Sequence, residues 1–154
     1  TTAQDLPRAM VSCFSYGDVA LIEQAVSGVE LGVSVVDLGD GPRALPPVEI
    51  VVENGLYDCD ARFYAGVTEF FVPARLEPQV LEAAREVAVT AHRVLGLRGL
   101  SRTDMIVDAA GVPWFLEVNS APGMTETSLF PLAAEAEGLA LPQLYRGIAQ
   151  AAAG

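Results

Sequence analysis

Arg102, Asp104, Glu117 and Asn119 are the residues of this chain whose types and spacing could do chemistry. They sit in two short runs, SRTDMIV and PWFLEVN, separated by DAAGV. Side chains alternate along a strand, so Arg102 and Asp104 share one face, as do Glu117 and Asn119. A two-residue turn at Ala110 and Gly111 would set Asp104 across from Glu117 and Arg102 across from Asn119. Opposed carboxylates destabilise a bare sheet, and a divalent cation resolves the conflict. Asp, Glu and Asn offer hard oxygens, which suit Mg²⁺ or Mn²⁺ better than zinc. Three protein ligands leave coordination positions for water and phosphate oxygens, the usual arrangement at nucleotide-dependent sites, with Arg102 facing the reacting end. An ordinary hairpin in which Arg102 bridges Asp104 or Glu117 as an ion pair satisfies the same pattern, because the register rests on the turn.

The segment that follows, SAPGMTETSLF, adds a second feature. Pro122 and Gly123 predict a tight turn whose N–H can point at an anion, as an oxyanion site requires. Trp114, Phe115, Leu116 and Val118 make the preceding strand apolar enough to be buried. A buried carboxylate costs several kcal/mol unless it is paired, so Glu117 requires a positive partner.

The elements that must position these groups can be read along the chain. Thr2 and Asp5 have capping-box spacing, and Ala3, Leu6, Met10, Val11 and Phe14 line one helical face, which predicts a helix to about Ser15. VALIEQAVSGVELGVSVVDL reads as two strands joined near Ser27 and Gly28. GDGPR is a turn, and ALPPVEIVV is a strand with Pro46 and Pro47 near an edge or at its start. Residues 53–66 carry no sustained period and read as a long loop, which is often functional. VTEFFVPARL is a strand. Glu77 and Pro78 open a helix whose stripe of Val80, Leu81, Ala84, Val87, Ala88, Ala91, Val94 and Leu95 is expected to be buried and which Gly96 stops. His92 is expected at the surface or partly packed in that helix, not as a metal ligand. From about Leu129 the chain predicts one or two short helices broken by Gly138 and Pro142.

Composition narrows the function classes. At 154 residues the chain is the size of one domain,. Its apolar runs are far shorter than the ~18 residues needed to span a bilayer, and no leader opens it, so no membrane role is expected. A net charge of −11 argues against nucleic acid as a partner,. All nine basic residues are arginine, so phosphate chemistry must use Arg, backbone N–H groups or metal. Cys13 and Cys59 are expected as free thiols in a reducing cytoplasm. Thr1 opening directly on a helix suggests a piece of something longer.

SRTDMIVDAAGVPWFLEVNSAPGMTETSLFPLAAEAEGL resembles the C-terminal part of D-alanine–D-alanine ligases of the ATP-grasp superfamily, whose pattern runs G-R-x-D, then L-E-x-N-x-x-P-G-M-T-x-x-S-L. LIEQAVSGVELGVSVV, LPPVEIV and LYDCDARFYAGVTEFFVPARL fall in the same order as in those ligases, so the resemblance covers nearly the whole chain. It implies an α/β (α+β) fold, a mixed, largely antiparallel sheet with helices packed on one face. It also implies a reaction in which ATP phosphorylates one D-alanine and the amine of a second attacks the acyl phosphate, making the dipeptide for peptidoglycan.

Residue by residue, the resemblance implies that Asp104, Glu117 and Asn119 hold two Mg²⁺ ions, with Mn²⁺ an alternative, and that Glu117 bridges them. It places Arg102 and the Gly123 N–H at the tetrahedral intermediate. Ser128 and the Leu129 backbone take the carboxylate of the second D-alanine. Glu23, Gln24, Ala25 and Val26 line the adenine, Glu30 meets the ribose, and Tyr57 and Leu116 belong to the ATP site. Arg62 and Phe63 stand where the family's mobile loop usually has Lys and Tyr, Arg62 toward the phosphates and Phe63 toward substrate; Arg is a planar fork, not a compact ammonium, and Phe63 lacks the hydroxyl. These changes leave open a ligase for another amino-acid or hydroxy-acid pair. Gln24 replaces a common Lys beside the adenine. The family's N-terminal substrate domain and the first half of its ATP-binding domain would lie upstream of Thr1. The isolated chain is therefore expected to make no dipeptide, and the full-length enzyme is expected to be a cytoplasmic homodimer. A nucleotide-binding module without chemistry is the alternative of a different class.

Overall fold

The structure, a computed structural model, describes residues 2–52 and 68–153. The expected loop at 53–66, with Tyr57, Arg62, Phe63 and Cys59, lies outside the described residues. Among the described residues six strands form one sheet: β1 (Val29–Val36), β2 (Arg43–Ala44), β3 (Val48–Val52), β4 (Thr68–Phe71), β5 (Leu100–Val107) and β6 (Pro113–Asn119). Their order is β4-β3-β1-β5-β6, with β2 paired to β1, and every described pairing is antiparallel. Among the described residues four helices accompany the sheet: α1 (Leu6–Phe14), α2 (Pro78–Val94), α3 (Leu129–Ala136) and α4 (Leu141–Ala153). The α/β class with a largely antiparallel sheet is as expected.

The layering differs from the expectation of helices on one face. Alternation along β1 sends Leu31, Val33 and Val35 to one side, where they pack with Ala84 and Ala88 of α2 and with Met105 and Val107,. Val36 points to the other side and joins Val48, Ile50, Leu129, Phe130, Ala133, Ala134 and Leu144, the contribution of α3 and α4. Helices therefore cover both faces. The β1 run is apolar on both sides because it is central, and only a sheet covered twice buries such a strand.

Local chemistry explains most boundaries. Asp5 closes the turn before α1, accepting from Thr2 N–H at 2.7 Å and from its hydroxyl at 3.1 Å. Gly96, at φ +63°, ends α2; its N–H reaches Arg93 O and the Leu97 N–H reaches His92 O, a Schellman closure that needs the left-handed conformation. Gly138 ends α3 in the same way. Pro142 does not break the last helix. It lies in the first turn of α4, where its missing N–H costs nothing,.

Several sequence expectations fail for lack of a partner. Residues 19–27 form no strand, and Val19, Leu21 and Ile22 are exposed; alternation supplies a face, but a strand also needs a neighbouring edge to hydrogen-bond. Val94 and Leu95 are exposed. His92 is buried, not at the surface, with Nδ1 2.8 Å from Ser101 Oγ beneath the helix. Burial pushes its pKa below the ordinary value, against the opposing pull of Asp37,. Cys13 is a free, exposed thiol, as expected. Among the described residues no helix is long and apolar enough to cross a membrane.

Candidate active site

The hairpin of β5 and β6 carries the candidate site on the face that α3 abuts. Asp104 pairs with Glu117, and Arg102 with Asn119. The expected juxtaposition is present, but the expected turn is not. Asp108 builds a longer connection: its Oδ1 accepts the N–H groups of Ala110 and Val112, and its Oδ2 accepts Trp114 Nε1–H at 2.8 Å. These donors hold the Asp108 carboxyl below its usual pKa, the Trp114 bond contributing most. The longer loop offsets the pairing, Val107 facing Pro113 and Met105 facing Phe115. An extra residue on β6, Leu116, then forms a bulge and restores the pairing at Glu117. Bulges re-aim side chains beside functional sites.

Burial is distributed differently from expectation. β6 is the edge strand, and Trp114, Phe115 and Leu116 are 41%, 48% and 45% exposed. Glu117 is exposed as well, so its own burial calls for no cation. The buried carboxylate is Asp104, 6% exposed, and the cation beside it is Arg102, 8% exposed. Arg102 Nε donates to Asp104 Oδ1 at 2.6 Å and its second nitrogen donates to Oδ2 at 2.8 Å. This bidentate pair compensates two charges in the wall of the site. The ion-paired hairpin and the polar constellation are thus the same object.

The donor set fits a hard divalent cation. Asp104 and Glu117 are register partners on adjacent strands, Asn119 lies two residues along β6, and Glu117 is open to solvent. Asn119 Oδ1 already accepts Ala121 N–H at 2.9 Å, which fixes its orientation and leaves it a second lone pair,. Among the described residues no group of three or more His, Cys, Asp and Glu gathers anywhere, so a metal here would rely on Asn119 and on non-protein oxygens.

The turn after β6 brings the other expected residues to the same end of the sheet. A Cβ placed on Gly123 would sit 2.7 Å from Ser128 Oγ, so glycine is what lets the two approach. Ser128 precedes the first residue of α3, and Leu129 opens that helix with its side chain in the core. Glu30 lies on the same face of the sheet as Arg102 and Asp104, in the row of Ile106. Glu23, Gln24 and Ala25 are exposed, Val26 is half-buried, and none of the four lies in a strand.

Two residues of the site escaped the sequence reading. Gly32 pairs with Asp104, and a Cβ there would lie 2.6 Å from Leu129 Cδ1 and 3.4 Å from Arg102 Cδ. A lone glycine inside an apolar strand is the signal for such an approach. Ser34, across from Arg102, has a buried hydroxyl with no partner among the described residues; it left no signal.

With this geometry in view, comparison with known proteins decides the family. Residues 1–150 match the family described as D-ala D-ala ligase C-terminus. This chain belongs to that family. It is 41% identical over 149 residues to a D-alanine–D-alanine ligase of Pelotomaculum thermopropionicum, covering 97% of this chain and 46% of that protein. The crystal structure of the D-alanine–D-alanine ligase from Bacillus anthracis complexed with ATP superposes with a TM-score of 0.80 at 25% identity, covering 97% of this chain and 46% of that one. The VanG D-Ala:D-Ser ligase from Enterococcus faecalis gives a TM-score of 0.82 at 27% identity, covering 97% of this chain and 43% of that one. The chain thus spans about half the length of the D-alanine–D-alanine ligases it matches.

Proposed function

We propose that this chain, residues 1–154, is the C-terminal portion of an ATP-grasp enzyme that joins two D-alanines at the expense of ATP, for peptidoglycan synthesis in the cytoplasm. The observation that carries the reading is the register that sets Asp104 beside Glu117 and Arg102 beside Asn119, on the face where Gly123 and Ser128 meet. The carboxylate of the first D-alanine attacks the γ-phosphorus of ATP, giving an acyl phosphate and ADP. The amine of the second attacks the acyl carbon, and phosphate leaves.

Each residue has a role in that reaction. Asp104, Glu117 and Asn119 would hold Mg²⁺, two ions in this proposal, which when bound neutralises charge on the transferred phosphoryl oxygens. Arg102 is held in place by Asp104 and presents guanidinium N–H groups where oxyanion charge develops, together with the Gly123 N–H. Ser128 and the Leu129 N–H receive the acceptor carboxylate. Glu23, Gln24, Ala25, Val26, Glu30, Tyr57 and Leu116 form the nucleotide side, and Arg62 and Phe63 the loop over the phosphates and substrate. The exposed Val19, Leu21, Ile22, Trp114, Phe115 and Leu116 fit a nucleotide cleft completed by an upstream half. Catalysis positions many groups at once, so the 154 residues alone make no dipeptide. The homodimer is part of the same proposal, tested by light scattering of the full-length protein.

The test is mass-spectrometric detection of D-alanyl-D-alanine formed by the full-length protein with ATP, Mg²⁺ and D-alanine, matched to ADP. Glu117→Ala is expected to abolish it. Dipeptide formation undiminished in that variant would overturn the assignment. A second reading, a different acceptor such as D-serine, is supported by the VanG fold match and by Arg62 and Phe63; competition between D-serine and D-alanine in the same assay separates the two.

A further inference from the structure

The hydroxyl of Ser128 does not do what a serine at the start of a helix normally does. In the position before the first helical residue, serine accepts an N–H from the second or third residue of the helix. Here α3 has no side-chain cap, and its third residue is Pro131, which has no N–H to offer. Ser128 Oγ lies instead 2.8 Å from Thr125 Oγ1 and faces Gly123. Thr125 holds the same turn twice, because its carbonyl also accepts the Ser128 N–H at 2.8 Å. Tyr145 of α4 ties the turn to the helical layer through a 3.3 Å bond to Met124 O.

We propose that Thr125 is a positioning residue that turns the Ser128 hydroxyl away from capping α3 and toward the carboxylate of the acceptor amino acid. The inference rests on the function proposed above. Thr125 itself touches no reacting atom. When it donates its proton to Ser128 Oγ, Ser128 keeps its own proton for an incoming carboxylate, and a hydroxyl that accepts one bond donates the next more strongly. The Leu129 and Phe130 N–H groups have no acceptor within the first turn of the helix. With Ser128 turned aside, neither is taken by a side-chain cap.

The experiment uses the full-length protein. Steady-state rates across D-alanine concentration resolve the donor and acceptor KM values. Thr125→Val, which keeps the shape and removes the hydroxyl, is expected to raise the acceptor KM roughly three- to tenfold, the worth of one neutral hydrogen bond. The KM for ATP and for the donor should stay within twofold, and Thr125→Ser should restore the acceptor KM. Thr125→Val in a Ser128→Ala background should add no further loss. An unchanged acceptor KM in Thr125→Val, or fully additive losses in the double variant, overturns the proposal. A crystal structure of Thr125→Val decides the point independently of activity: the Ser128 side chain is expected in a new rotamer, and an unmoved hydroxyl refutes the inference. Absence of dipeptide from the wild-type protein would sink the proposed function, and that crystal structure would still show whether Thr125 sets the Ser128 rotamer.

Discussion

Gly32→Ala tests whether core packing and the candidate site are mechanically joined. The added Cβ would lie 2.6 Å from Leu129 Cδ1, 3.4 Å from Arg102 Cδ and 3.7 Å from Asp104 Oδ1. Leu129 is 3% exposed and packs among Phe130, Val48 and Ile50, so its methyl cannot swing into solvent. Overpacking of this kind costs about 1–3 kcal/mol, partly offset by about 0.5–1 kcal/mol from replacing a flexible glycine inside a strand. The expected net loss is about 1–2 kcal/mol, read as a lower urea midpoint at unchanged slope. Leu129→Ala alone should cost about 2–4 kcal/mol through its cavity. The double variant should be no worse than Leu129→Ala, because the new methyl fills part of the space vacated. Because Leu129 adjoins Ser128, Gly32→Ala should also raise the acceptor KM. A neutral or stabilising Gly32→Ala, or strictly additive losses in the pair, would refute the reasoning.

Glu49, 6% exposed, accepts three hydrogen bonds from Arg75, from its backbone N–H at 2.9 Å and its guanidinium at 3.0 and 2.7 Å, so Glu49→Gln should cost on the order of 2 kcal/mol in chemical denaturation,. Arg75 holds the Glu49 carboxyl below its ordinary 4.5; the folded state releases this proton more readily than the unfolded one, so its contribution is full above about pH 4.5 and fades as pH falls through the lower folded value, a limb Glu49→Gln should lack. Burial depresses His92 below its ordinary 6.5, so the unfolded chain binds the proton first and stability should fall as pH drops below about 6.5. His92→Asn, whose amide can still reach Ser101, should flatten that part of the urea-midpoint profile, and an unaltered slope would exclude His92 as its source.

The part of the site that was legible in the sequence was legible because strands alternate. Arg102 with Asp104 and Glu117 with Asn119 had to share faces, whereas their pairing across the hairpin depended on a register that a one-residue slip would have undone. The pairing was right although the turn was wrong: the Asp108 loop displaces the strands by one residue, and the Leu116 bulge displaces them back. Neither event has a sequence signature short of knowing which side-chain oxygen closes the loop. Burial was harder to read, since hydrophobicity does not reveal edge position. Trp114 to Leu116 looked like core and lie on the edge strand, so the need for a nearby cation falls on Asp104 and not on Glu117. Residues 19–27 had the alternation of a strand without a neighbouring edge among the described residues. His92, expected at the surface or partly packed, is fully buried, and the Ser101 hydroxyl it meets belongs to another element that the helix pattern does not reveal. Gly32 was visible as a glycine in a strand, yet only the structure shows that Leu129 and Arg102 need the space.

The most direct test of the account follows the fate of one oxygen atom. The full-length protein is supplied with ATP, Mg²⁺ and D-alanine labelled with ¹⁸O in its carboxylate, and the released phosphate is analysed by mass spectrometry. Attack of that carboxylate on the γ-phosphorus, followed by loss of the acyl phosphate to the second amine, transfers one labelled oxygen to phosphate for each peptide bond. One ¹⁸O per phosphate is expected from the wild-type protein and no labelled phosphate from Glu117→Ala. Dipeptide accompanied by unlabelled phosphate, or label transfer that survives the loss of Glu117, would contradict it.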